Sequence, residues 1–384
     1  MTGLPQPPRV RPGDRSASAV LLVPDLALER WPSMDRYARE LAGRIGGITV
    51  PAEAAAIAGS RYLARYRSYP KRLRRYRPAL VHIADHSYAH CLASFPGVPS
   101  VVTIHDLEPL RRLAAGATTP RELLRNVLLR RVVRWLARAD RWIAVSEFTA
   151  GEAQALLALP AERLTVIHSG VDAAFFRLPA AGAAEGLRRA WIERAPAAHG
   201  AAAAPGHEPR VVLHVGSCVA RKNVETAIAA LGRLRRDGLD AILVQIGGTF
   251  GPSHEAAIRE ASVADAVVQY PAVDEATLRL AYCAADVLAM PSTYEGYGLP
   301  ALEAMAAGLP VVTSGAGGLA EAVGEAALVV RPCTADGLAR ALAGVLRDAA
   351  VARRLAERGR AHASTRSWDR TAQAVARVYG ELLP

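Results

Sequence analysis

Short apolar runs alternate with helix-forming segments along nearly the whole chain, and this alternation leaves few folds open. The runs are Ala19–Pro24, Ala79–Ile83, Ser100–Ile104, Arg141–Val145, Leu164–Ile167, Arg210–Val215, Ala241–Ile246, Ala266–Tyr270, Asp286–Met290, Pro310–Thr313 and Ala327–Val330. Most are dominated by apolar residues, without a strict alternating pattern, as expected of strands buried on both faces of a parallel sheet. Strand and helix in turn predict an α/β chain with doubly wound sheets. An Ala-, Gly- and Pro-rich stretch over 173–209, with Ala201–Ala204 consecutive, interrupts the series. It predicts two Rossmann-like domains facing one cleft, each large enough for a full core. The expected division is a disordered lead-in over 1–18, a first domain over 19–178, a linker over 179–209, a second domain over 210–365 and a final helix over 366–384.

Composition removes several functional classes. No run of about 18 apolar residues appears, so no membrane-spanning helix is expected. The Pro- and Arg-rich N-terminus lacks the apolar core of a signal peptide. Cys91, Cys218, Cys283 and Cys333 are far apart, which points to a reducing compartment and no metal cluster. His82, His86 and His90 repeat every four residues, but the first lies in a strand run, so no zinc set is expected. The net charge of +11 suits nucleic acid, an anionic membrane or anionic substrates. Aromatics are only 5% of residues and no nucleic-acid-reading motif is present, so membrane and substrate rank first. Two stretches carry that charge. Arg61–Arg77 holds eight basic residues and no acid, interleaved with Tyr62, Tyr66, Tyr69 and Tyr76. It reads as a solvated helix face or as an interfacial patch on anionic lipid. Leu123–Arg141 reads as an amphipathic helix, with Arg130, Arg134 and Arg138 opposite Leu124, Leu128, Val132 and Leu136.

The chemistry concentrates in residues 286–308. Asp286–Met290 reads as a buried strand, Pro291–Gly298 as a loop and Leu299–Ala307 as a helix ended by Gly308. A helix mouth presents unpaired N–H groups and partial positive charge to an anion. Gly296 and Gly298 let the backbone come close to it. Glu295 in the loop and Glu303 in the helix flank the same place. Two carboxylates would repel a phosphate, so they are read as acceptors for hydroxyls on either side of it. A nucleotide sugar has that layout: ribose, diphosphate, sugar. Gly296-Tyr297-Gly298-Leu299-Pro300-Ala301 also fits a dinucleotide fingerprint, but that pattern normally opens the first βαβ unit.

Glu295 and Glu303, eight apart in Tyr-Glu-Gly-Tyr-Gly-Leu-Pro-Ala-Leu-Glu, resemble the Glu-x7-Glu motif of the retaining glycosyltransferases of family 4, which have the GT-B fold. The resemblance runs over roughly residues 80–380. Gly216-Ser-Cys-Val-Ala-Arg221-Lys222-Asn223 is similar to the family's Gly-x4-Arg-Lys-Asn segment, whose cations neutralise the diphosphate. Thr103-Ile-His105-Asp-Leu resembles the segment whose His faces the donor sugar across the cleft. Val145-Ser-Glu-Phe148, His168-Ser-Gly-Val-Asp172 (Ser169 in place of Asn), the Gly-rich turn Ser314–Glu321 and Trp368 have counterparts as well. The last begins a helix that crosses back over the first domain. Where the family carries a Gly-Gly pair, this chain has Trp31-Pro-Ser-Met-Asp35, so no contact of that loop is carried over.

The resemblance implies catalytic or sugar-contacting roles for His105, Glu295, Arg221 and Lys222. Gly216, Gly247, Gly296, Tyr297, Gly298, Leu299 and Glu303 would complete the nucleotide-sugar site, with Glu303 on the ribose. The chain has no Asp-x-Asp, the motif by which the other large glycosyltransferase fold holds a metal. No metal or other cofactor is therefore expected. The resulting expectation is retaining transfer of a hexose, of mannose or glucose type, from a nucleoside-diphosphate sugar. The acceptor would be a glycan or a lipid-linked sugar, with no nucleic-acid partner. The setting would be cytoplasmic, at the inner face of an anionic membrane in the peripheral case. The alternatives are a GT-B-like sugar-nucleotide epimerase, which needs no acceptor, and a non-catalytic nucleotide-sugar-binding scaffold.

Overall fold

The computed structural model describes residues 20–29, 31–57, 59–113, 119–195 and 208–383. The lead-in expected over 1–18 and the run Ala201–Ala204 lie outside them. The chain forms two compact units: Met1–Val145 with Ala150–Ile167 and Asp369–Pro384, and His168–Trp368 with Ser146–Thr149.

The first unit is a parallel sheet of six strands, β1 (Val20–Val23), β2 (Ile48–Thr49), β3 (Leu80–Ile83), β4 (Ser100–Ile104), β5 (Arg141–Ala144) and β6 (Leu164–Val166), in the order β2-β1-β3-β4-β5-β6. The second is also six-stranded and parallel: β7 (Arg210–Val215), β8 (Ala241–Ile246), β9 (Val267–Tyr270), β10 (Val287–Met290), β11 (Val311–Thr313) and β12 (Leu328–Val329), in the order β12-β11-β10-β7-β8-β9. Every residue of β1, β3, β4, β8 and β10 is buried, the polar His82, Ser100, Thr103 and Gln245 included, as expected of strands covered on both faces. The anticipated two-Rossmann α/β architecture is present. So is the returning helix: Trp368–Gly380 runs into the first unit, where the Tyr379 hydroxyl lies 2.7 Å from Nδ1 of His82.

Several local expectations need correction. β2 pairs through only two residues and showed no strand pattern. The segment Trp31–Asp35, read as a turn, is the first turn of a helix spanning Pro32–Arg44. Pro32 sits at the position where a missing N–H costs nothing. Arg61–Arg77 is not one helical face but a short helix, a wide turn over Ala64–Ser68 and a helix over Tyr69–Leu73. The amphipathic helix covers Pro120–Leu136 and is started by a capping box between Thr119 and Glu122. Its apolar side is narrower than expected: Val132 and Leu136 are buried, but Leu123, Leu124 and Val127 are exposed. No helix among the described residues is long and apolar enough to cross a membrane.

His82, His86 and His90 find separate surroundings. His82 lies between Tyr379 and Thr103, His86 beside Asp85, and Nε2 of His90 donates to the Arg65 carbonyl. Among the described residues no group of three His, Cys, Asp or Glu is disposed to hold a metal ion.

Candidate active site

The second sheet has one topological switch. From β7 the chain steps outward through β8 and β9, then returns to the other side of β7 as β10 and continues to β11 and β12. The two βα loops at such a point diverge and leave room beyond the strand ends, where doubly wound sheets place ligands. The loop after β7 carries Arg221 and Lys222. The loop after β10 carries Glu295–Gly298. Residues 73 apart in sequence therefore meet: Nζ of Lys222 donates to Oε1 of Glu295 at 2.6 Å, and Nη1 of Arg221 lies 3.3 Å from Oε2.

Both loops are held by their own backbones. Arg221 and Lys222 form a single 3-10 turn, Ala220–Lys222, closed by Asn223 in the left-handed region with φ 53°. Asn tolerates that conformation better than most residues. Its side-chain amide donates to the Pro291 carbonyl (3.1 Å), and the Thr293 N–H donates to the Arg221 carbonyl (2.7 Å). The cationic turn and the acidic loop are thus laced together. A Cβ on Gly247 would sit 2.9 Å from the Gly216 carbonyl, so the ends of β7 and β8 approach this closely only because Gly247 has no side chain. Gly318 does the same on the other side, where a Cβ would lie 2.1 Å from the Gly296 carbonyl. That carbonyl also accepts from the hydroxyls of Ser146 (2.6 Å) and Thr149 (3.2 Å), and Ser146 caps its own helix by accepting from the Thr149 N–H.

Glu295 and Lys222 are both buried. Burial alone would push the Glu295 carboxyl up. Lys222, then Arg221, and hydrogen bonds from Lys222 and Ser292 outweigh it, and the carboxyl is held below its usual range. Ser292, whose hydroxyl donates to Oε1 at 2.8 Å, escaped the sequence reading, as did His214. His214 lies in β7 under Lys222; burial and then the Lys222 charge lower its pKa to about 4, so it is neutral. Its only sequence signal was a polar residue inside an apolar run.

The remaining expected residues are placed as follows. Gly298 has φ 118° and begins the helix Leu299–Ala306. Tyr297 is buried and stacks on His168 at 5.3 Å between ring centroids. Glu303 is buried, and its Oε2 accepts from the Tyr282 hydroxyl at 2.9 Å. His105 belongs to the first unit, directly after β4. Its Nε2 donates to the Ala84 carbonyl (2.9 Å), which leaves Nδ1 as an acceptor. Burial, partly offset by Asp85, lowers its pKa.

The geometry at the switch point combines two cations with one carboxylate, for a net charge of about +1 at neutral pH. Such a site suits an anion with hydroxyl groups beside it. Comparison with known proteins agrees. The family described as "Glycosyltransferase Family 4" matches residues 30–175, and "Glycosyl transferases group 1" matches 200–362. The chain is 37% identical over 316 residues to a glycogen synthase of Mycobacterium tuberculosis, covering 80% of this chain and 69% of that protein. It is 35% identical to a D-inositol 3-phosphate glycosyltransferase of Salinispora arenicola, covering 74% and 64%. Among solved structures, Anabaena HepE in complex with UDP-glucose superposes with a TM-score of 0.73 at 19% identity, covering 94% of this chain and 99% of that one.

Proposed function

Because this chain belongs to glycosyltransferase family 4 and has the GT-B fold, we propose that it transfers a hexose from a nucleoside-diphosphate sugar to a glycan or lipid-linked acceptor with retention of configuration. The cluster of Lys222, Arg221 and Glu295 at the switch point carries this reading. Charge develops on the leaving diphosphate, and two preorganised cations stabilise it without the need for a metal. Glu295 holds Lys222 in place and offers its oxygens to the sugar hydroxyls. The mouth of the helix Leu299–Ala306 adds N–H donors for the phosphates. Glu303 binds the ribose, and His105 acts toward the sugar as a neutral imidazole. Relatives such as the glycogen synthase support a hexose, and the UDP-glucose bound to HepE supports a nucleotide-sugar donor. UDP-glucose and GDP-mannose head the donors to test.

A panel of nucleotide sugars in thermal denaturation checks the proposal. A matched donor at about 100 times its Kd adds about 2.7 kcal/mol of stability, and a mismatched base adds far less. Nucleoside diphosphate released only when acceptor is present marks a transferase; release or sugar isomerisation without acceptor marks the epimerase. Chelator leaves the transfer rate unchanged on this reading. Donor binding with no turnover under any condition would favour the scaffold.

The acceptor is presented at an anionic membrane surface. Leu123, Leu124 and Val127 lie exposed on the helix Pro120–Leu136, at 61%, 56% and 54%. Arg130, Arg131 and Arg134 continue the same solvent stripe at spacings of three and four. Tyr62 and Leu63 are exposed on the neighbouring basic segment. Arg67, Lys71, Arg74, Arg125, Arg130, Arg131 and Arg134 are exposed and form no ion pair among the described residues. Apolar side chains beside uncompensated cations match a headgroup layer. In vesicle flotation the chain should bind phosphatidylglycerol but not phosphatidylcholine. Arg130→Glu with Arg134→Glu should weaken binding about tenfold or more. Equal binding to both lipids, or none, would remove the membrane from the proposal.

A further inference from the structure

The first sheet has its own switch point, and a carboxyl stands there that nothing among the described residues satisfies. From β1 the chain goes to β2 on one side and returns to β3 on the other. Asp25 follows β1 by two residues, and Asp85 follows β3 by two. Asp25 is 4% exposed, and neither of its oxygens has a hydrogen-bond partner among the described residues. In the turn after β3, Nδ1 of His86 and Oγ of Ser87 are buried and have no hydrogen-bond partner among the described residues, Nδ1 lying 3.8 Å from Oδ1 of Asp85. Buried polar atoms are rarely left so, and several at one ligand-facing edge call for an explanation.

The neighbouring groups are already committed. Asp85 accepts from the Ser87 N–H at 2.6 Å. Glu29 accepts from Arg65 at 3.2 Å and from the Tyr88 hydroxyl at 3.1 Å. Among the described residues, the charges of Asp85, Asp35 and Glu29 raise the Asp25 carboxyl and that of Arg65 lowers it. Arg65 is spent on Glu29, on the Ser87 carbonyl (2.7 Å) and on the face of Tyr88 (4.2 Å). Burial first, then Asp85, pushes the Asp25 carboxyl well up. A carboxyl that keeps its proton both donates and accepts, as an alcohol does. A phosphate ester would bring only acceptors and further negative charge among three acids.

We propose that Asp25, with His86 and Ser87, forms a hydroxyl-reading subsite in the first unit that takes an uncharged polyhydroxyl acceptor in preference to a phosphorylated one. This deepens the transferase reading and rests on it. Solvent does not reach these oxygens, so binding requires the short turn after β1, whose Ala27 is exposed, to shift.

Saturation-transfer NMR on the full chain, with methyl α-D-glucopyranoside and with glucose 6-phosphate, tests it. The glycoside should bind the parent and Asp25→Asn within about threefold, because the amide also donates and accepts. Binding to Asp25→Leu should be about tenfold weaker or worse, and to Ser87→Ala about threefold weaker. Glucose 6-phosphate should bind the parent at least about tenfold more weakly than the glycoside. Unchanged glycoside binding in Asp25→Leu, or in Ser87→Ala should the first variant not fold, would mean that the unmet atoms hold only a buried water. Equal binding of the phosphate ester would overturn the selectivity. Nucleotide-sugar binding that survives while Asp25 dependence fails sinks this inference alone. Asp25-dependent glycoside binding without any nucleotide-sugar binding sinks the transferase reading alone.

Discussion

Lys222→Ala is expected to slow sugar transfer about 10²–10³-fold, the loss seen when one preorganised donor is removed from a developing anion. The same change should cost about 3–5 kcal/mol of stability, because it leaves a buried carboxylate without its closest cation. Both effects come from one geometry, the 2.6 Å contact between Nζ and Glu295 Oε1 with both side chains buried. They are separable. In the double variant Lys222→Ala with Glu295→Gln, the orphaned charge is gone, so denaturant unfolding should recover most of the lost stability. Turnover should not recover, since the cation is still missing. If turnover returns with stability, Lys222 serves the fold and not the reaction.

The pH dependence follows from the same pair. In the parent the Glu295 carboxyl is held below its ordinary value, so its contribution to stability is complete above about pH 4.5 and fades only as pH falls through the lowered value. The parent should therefore be insensitive to this group between pH 5 and 8. In Lys222→Ala the largest lowering influence disappears and burial pushes the carboxyl up. The unfolded chain then ionises more readily than the folded one, and stability falls as pH rises from 5 to 8. Unfolding measured at pH 5 and pH 8 should show the variant less stable at the higher pH, with no contribution from this group to the difference in the parent.

This pairing also marks the limit of what the sequence could disclose. The strands were legible because parallel strands buried on both faces are mostly apolar, as in Val20–Val23 and Val287–Met290. The two-residue β2 was not, because two positions cannot display a period. The start at Pro32 was mistaken because proline serves turns and first helical turns alike. Arg221, Lys222, Glu295 and the flanking glycines could be picked out as a set, since each occupies the end of a strand run. That Lys222 and Glu295 touch depends on β10 returning beside β7, and strand order is not written in local pattern. Leu124 was assigned to a buried face by helical spacing, but spacing does not say what lies opposite. Asp25 went unnoticed for a related reason: its interest lies in what fails to reach it, and only coordinates disclose that.

Glu303→Gln should weaken nucleotide binding about tenfold or more while changing stability little. The helix Leu299–Ala306 fixes Glu303 one turn behind its mouth, and the side chain is buried with Oε2 accepting from the Tyr282 hydroxyl. Two roles fit that position. In one, the carboxylate satisfies Tyr282 and belongs to the packing of the helix Glu275–Ala284. In the other, Tyr282 orients a carboxylate that grips two ribose hydroxyls, and charged hydrogen bonds of that kind contribute about 1.5–3 kcal/mol each. Glutamine retains an oxygen for Tyr282 but loses the charge and one acceptor, so it spares the first role and damages the second. Tyr282→Phe does the converse: it removes the tyrosine's donor, costs about 1–3 kcal/mol of stability through the carboxylate left under-bonded, and should move nucleotide affinity less than about threefold. Calorimetric titration of nucleoside diphosphate into both variants, beside their denaturant unfolding curves, decides between them. A stable Glu303→Gln with parental affinity would place Glu303 in the packing and leave the ribose to other groups.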